Sequence, residues 1–231
     1  VLARVPMPKT PEAGAQREKL KRWFWCAVFG QAYESAPNTQ SAKDVVDLMG
    51  WLNGGPLPDS VSSFRFDPKT LHDVTPRQRS IYRGTICLIL GSCSGSRDFH
   101  TQAVITGRLM TEQGIDDHHV FPAKYLEKKG VTLTRARDCV LNRTLIDRTT
   151  NQMIRDRAPS QYMADIRKTP GFPFESVLNS HCLPSGGDSP FWTDDYGAFL
   201  SWRRDRIWEA IKHVTGVTEA TDLEVTEKDG L

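Results

Sequence analysis

Apolar residues recur at three- and four-residue spacing over 12–33, where Leu20, Trp23, Phe24, Ala27 and Val28 form one stripe. That spacing predicts an amphipathic helix. Trp23, Phe24 and Trp25 in a row also fit a base-stacking platform. On a helix two of the three share a face, so core packing is the reading the period favours. A second helix is predicted over 41–52, opened by Ser41 as N-cap and stopped by Gly54-Gly55. Pro56, Pro58 and Pro68 break 54–73 into loop. Thr75-Pro76 opens a third helix, apolar from Ile81 to Leu90 and therefore a buried element, and a Gly/Ser hinge follows over 91–96.

Beyond Asp98 the helical period fades. The best strand candidates lie over 115–121 and 142–146. A helix is expected from about residue 150, interrupted near Pro159, and the Pro-, Gly- and Ser-rich stretch 172–192 reads as irregular. The last long helix is predicted over 194–214, with Phe199, Leu200, Ile207, Ile211 and Val214 inward. The pattern describes a mostly helical α+β chain in four parts. Residues 1–95 form a helical scaffold, 96–170 a core with the strands, 171–216 an irregular segment and a helix packed on the scaffold, and 217–231 a flexible acidic tail.

With 231 residues and abundant aromatics the chain can fill a core. No apolar run approaches the length of a membrane span and no signal peptide opens the chain. It begins at Val1 rather than a methionine, so a fragment of a longer protein is expected. Cys26, Cys87, Cys93, Cys139 and Cys182 are scattered without a CxxC pair, as reduced, mostly buried thiols of a cytosolic protein would be.

The net charge of +2 hides an asymmetry. Residues 121–170 carry eleven Lys/Arg against five acids, whereas the tail from 217 carries five acids against Lys228. A basic centre with an acidic tail is what a polyanion binder needs, although a solvated helical face has the same composition.

The chemistry concentrates at Asp116-Asp117-His118-His119-Val120-Phe121-Pro122. Consecutive histidines at a strand end point to opposite faces, so one is able to hold a metal while the other faces substrate. Asn142 then heads the second apolar strand, and nine residues later Asn151 opens a helical stretch. Strand, loop, strand and helix make a small cup for one divalent ion. Alone, Asn142 would be read as a turn residue and Asn151 as a helix cap; in this order, beside a basic flank, they point to phosphodiester hydrolysis.

DDHHVFPAKYL (116–126), LNRTLID (141–147) and NQMIRDRAPSQYM (151–163) resemble the HNH, or ββα-metal, nucleases. They are most similar to the DUF1524 nuclease half of GmrSD-like restriction proteins that also carry a DUF262 domain, including the phosphorothioate-sensing SspE type. The helices KRWFWCAVF and FLSWRRDRI fit the same family. The resemblance implies an embedded ββα-metal motif with His119 as general base and His118 as first metal ligand. It implies Asn142 as the residue that orients His119 or holds its loop and Asn151 as last ligand, with Asp117 as an additional outer ligand or simply an exposed strand-end acid. The final position is Asn where the eponymous family has His, which favours Mg2+ or Mn2+ over Zn2+.

Lys124, Arg143, Arg148, Arg155 and Arg157 are candidates for phosphate contacts, with pairing to Asp156 or Asp165 as the alternative for Arg155 and Arg157. Such contacts position a backbone without reading bases. His100 lies on the approach to the site; His72, His181 and His213 read as structural or exposed. The implied protein is a bacterial, cytoplasmic anti-phage endonuclease acting on double-stranded DNA. No Walker loop or DUF262-type motif is present, so nucleotide hydrolysis and modification sensing would belong to an N-terminal half outside this chain; a homo-oligomer is left open. The competing readings are a degenerate HNH fold that binds DNA without cutting, and a regulatory module.

Overall fold

The computed structural model describes residues 9–91, 96–105 and 115–217. Most of the hinge, Cys93 and nearly all of the acidic tail lie outside them. Thr10 caps the first helix, α1 (Pro11–Phe29), through Oγ1, which accepts from the Ala13 amide, and Pro11 supplies the favoured first position. Leu20, Cys26, Ala27 and Phe29 face inward while Phe24 is half exposed, so the buried stripe is rotated from the predicted one. Trp23 and Trp25 are partly buried against the core, as packing residues.

The second helix, α2 (Pro37–Leu52), starts four residues before Ser41, because Pro37 opens it. The Pro-rich stretch after it holds a one-turn helix, α3 (Asp59–Ser62), and a 3-10 turn, Pro68–His72. Both are too short to show a period. α4 (Arg79–Gly91) buries Ile81, Tyr82, Gly84, Ile86, Leu88 and Ile89. It begins later than Pro76 because Gln78 Oε1 accepts from Thr75 and holds 75–78 as a turn. At Gly84 it crosses α1 so closely that an added Cβ would lie 2.4 Å from Val28 Cγ1. Only glycine admits that approach.

Strand β1 (Ile115–His119) pairs antiparallel with β2 (Arg143–Asp147), placing His119 opposite Arg143, His118 opposite Thr144 and Asp117 opposite Leu145. Two short helices unseen in the sequence, α5 (Ala123–Lys128) and α6 (Thr134–Asp138), fill the connection. After β2 come α7 (Arg148–Ile154), α8 (Pro159–Arg167), α9 (Phe174–Ser180) and α10 (Tyr196–Thr215). α9 falls in the stretch expected to be irregular. Among the described residues the architecture is mostly helical with one two-stranded sheet.

Two apolar cores lie on either side of β2. Leu145 joins the scaffold core of α1, α2 and α4, and its neighbour Ile146 joins the second core with Phe121, Ile154, Tyr162 and Phe191. A period of two sends successive residues to opposite faces, so β2 is buried on both. α10 serves both cores, through Ile207 and Ile211 on one and Phe199 on the other. Between those positions Arg203 is fully buried; its guanidinium donates to the carbonyls of Leu141 (2.7 Å) and His181 (3.0 Å). Burial lowers its pKa to about 10, which leaves it charged at neutral pH. Among the described residues no helix is long and apolar enough to cross a membrane.

Candidate active site

Pro122 ends the strand run after His119 and caps α5, while Val120 and Phe121 are fully buried anchors. The two histidines therefore stand at a fixed strand end, one on each face of the sheet. His118 faces α7, where its Nδ1–H donates to Asn151 Oδ1 at 2.8 Å. Asn151 reaches that position because Asp147 caps α7, accepting from the Thr149 amide and starting the helix directly after β2.

His119 faces the scaffold. Its Nε2 lies 2.7 Å from Asp138 Oδ1, at the end of α6. Burial, followed by the charge of Arg143, holds its pKa below the ordinary histidine range against the pull of Asp138. The ring is consequently neutral near pH 7, the state required of a proton acceptor. Arg143 Nη2 donates to the same Asp138 oxygen at 2.7 Å, and Nη1 donates to the Asp117 carbonyl at 3.2 Å. Asp117 shares this face; its carboxylate accepts from Tyr82 of α4 and lies 3.7 Å from Arg143. Asp117 is thus not brought to the His118–Asn151 pair.

Asn142 is fully buried and spends its amide on backbone. Oδ1 accepts from the Phe121 amide (2.8 Å), while Nδ2 donates to the carbonyls of Phe121 (3.1 Å) and Arg137 (2.9 Å). It clamps the chain just past His119, and the orienting contact to the ring comes from Asp138 instead.

The basic residues divide. Lys124, Arg148 and Arg155 are exposed, on α5, on α7 and immediately after it. Arg143 is buried in the Asp138 network, and Arg157 is engaged by Asp165 (2.7 Å) and the Met153 carbonyl (3.1 Å). Arg155 has φ 57° and ψ −122°, a conformation glycine tolerates best. His100 and His213 are exposed, His72 is half buried, and His181 is fully buried, as expected of structural or exposed residues for the last three.

A cavity of about 640 Å3 opens beside the His119 face, lined by Asp73, Thr75, Arg77, Gln78, Thr134, Arg135 and Asp138. Arg77, Arg135 and Asp138 went unmarked in the sequence. Their only signal there was membership of a basic run, and only the fold brings 73–78 against 134–138.

The groups that could hold a metal are the His118 imidazole and Asn151 Oδ1, on facing elements; Nδ1 carries the hydrogen it donates to Oδ1, so an ion between them would have to replace that hydrogen. Among the described residues no cluster of three His, Cys, Asp or Glu side chains could hold an ion. One imidazole and one amide oxygen fit a hard divalent ion that keeps several waters and takes phosphate oxygens as its other ligands. They do not fit a structural zinc site.

Comparison with known proteins adds a relative without a role. The chain is similar to the uncharacterized protein MJ0686 of Methanocaldococcus jannaschii, 28% identical over 170 residues. The match covers 70% of this chain and 28% of that protein, so the chain spans about a quarter of the relative's length. No family model and no solved structure matches.

Proposed function

We propose that this chain is an HNH-type endonuclease domain that nicks or cleaves DNA with Mg2+ or Mn2+. One observation carries the reading. His118 and Asn151, 33 residues apart, meet at 2.8 Å on one side of a strand whose next residue, the neutral His119, stands on the other. A phosphate at the end of β1 is then reached from both faces. His119 takes the proton of an attacking water, the oxygen adds to phosphorus, and the bond to the leaving oxygen breaks. Asn142 keeps the backbone beyond His119 from drifting. A divalent ion bound by His118 and Asn151 would neutralise the phosphate and the leaving oxygen.

Lys124, Arg148 and Arg155 supply phosphate contacts, so binding should be salt-dependent and weakly sequence-selective. Placement in the effector half of a restriction protein, beside a nucleotide-hydrolysing DUF262 domain, is supported by the sequence resemblance alone.

The absence of a third acidic or histidine donor beside the pair, among the described residues, favours a second reading, a DNA-binding module that does not cut. Supercoiled plasmid with Mg2+ or Mn2+ separates the two. Wild type should yield open circle and His119→Ala should not. Equal conversion by both proteins removes the catalytic assignment, and retardation of DNA by both without cutting establishes the binding module.

A further inference from the structure

We propose, resting on the nuclease reading above, that Asp138 is the positioning residue of His119, holding it in the tautomer protonated on Nε2. A carboxylate can only accept hydrogen bonds, so the ring nitrogen 2.7 Å from it carries the hydrogen. A neutral imidazole has one such hydrogen, and Nδ1 is left with the lone pair that receives the water proton. When that proton arrives the ring becomes a cation beside an anion, and it returns to neutral by releasing the proton from Nδ1 to solvent.

Three features make the pair a device rather than a passing contact. Asn142, for which the resemblance implied either orienting His119 or holding its loop, has both amide groups committed to the Phe121 and Arg137 backbone and so holds the loop. Arg143 pins the Asp138 carboxylate from the opposite strand at 2.7 Å, so it is tied back from swinging toward solvent. The second arm of Arg143 reaches the Asp117 carbonyl, and the Asp117 carboxylate accepts from Tyr82, which fastens the assembly to α4. Asp138 also forms part of the wall of the 640 Å3 cavity, where a strand would arrive.

A merely structural Asp138–Arg143 pair would hold α6 and leave the tautomer of His119 indifferent. The test is 15N NMR of the His119 ring, paired with nicking of supercoiled plasmid in Mn2+. Wild type should show the Nε2-protonated tautomer. Asp138→Ala should show a mixture and nick about 10- to 100-fold more slowly at saturating DNA, with the DNA concentration for half-maximal rate unchanged. Asp138→Asn retains an acceptor oxygen and should recover most of the tautomer signal and part of the rate.

Protonation on Nδ1 in wild type overturns the proposal and needs no variant to be seen. A nicking wild type whose Asp138→Ala variant keeps both tautomer and rate overturns the positioning role alone. A wild type that holds the Nε2 tautomer and never nicks overturns the nuclease reading, and the role with it.

Discussion

The imidazole of His118 and the side-chain amide of Asn151 meet nitrogen to oxygen at 2.8 Å, bridging the strand before the long connection and the helix after it. An ion held by both would take the place of the hydrogen between them. His118→Ala and Asn151→Ala are therefore each expected to weaken Mn2+ binding at least tenfold, by titration calorimetry on the folded chain. Wild-type affinity in both variants would move the ion elsewhere.

Asn142 predicts a different phenotype. Asn142→Ala leaves the Phe121 amide and two carbonyls without partners in a fully buried place. The expected loss is about 3 kcal/mol, read as a lower urea midpoint. His119→Ala should change stability far less while abolishing nicking. A stable Asn142→Ala protein would refute the clamp.

Arg155 sits at φ 57°, where an L-residue is strained. Arg155→Gly should raise stability by about 1 kcal/mol and weaken DNA binding at low salt. Thermal melting and gel retardation read the two effects separately. A less stable glycine variant would show the strain to be absent.

His181 gives the pH dependence. It is fully buried, with Nδ1 2.6 Å from the Thr144 hydroxyl and Nε2 2.8 Å from the Arg97 carbonyl, and burial depresses its pKa to about 4. The unfolded chain, with an ordinary value near 6.5, takes up the proton first. The stability it supports is full above about pH 6.5 and is lost as pH falls towards 4. Urea midpoints at pH 7, 5.5 and 4 should drop in that order, and His181→Gln should flatten the lower part of the trend. A midpoint steady across this range would mean the buried ring pays no such penalty.

How far the site is legible in sequence depends on the kind of signal each residue carries. The pairing of 115–119 with 143–147, the opposite facing of His118 and His119, and the approach of Asn151 follow from period and order along the chain. Asp138 does not, because its meaning comes from α6 folding back over the sheet, and five residues show no helical period. Arg143 reads as a free cation in a basic run, and Arg157 as a phosphate contact with pairing to Asp165 as its alternative. The fold sets both against carboxylates, Arg143 on Asp138 five residues before it and Arg157 on Asp165 eight residues after it, across helix ends that no period in the sequence marks. Arg203 was hidden in an amphipathic stripe, where a buried cation breaks the pattern instead of continuing it. The four-part division blurs for a similar reason. Residues 171–216 give Val177, Leu178, Leu183 and Phe191 to the core around the strands, not only a helix to the scaffold.

The sharing of α10 between the two cores bears on how this unit can be handled and inherited. A segment cut at residue 170 would keep every proposed catalytic side chain and lose Phe191 and Phe199 from beneath Phe121, along with the arginine that ties the Leu141 carbonyl. The histidine–asparagine motif is thus not a cassette to be grafted by itself. Its portable unit runs from α1 to the end of α10, and shuffling between proteins would have to carry both ends together.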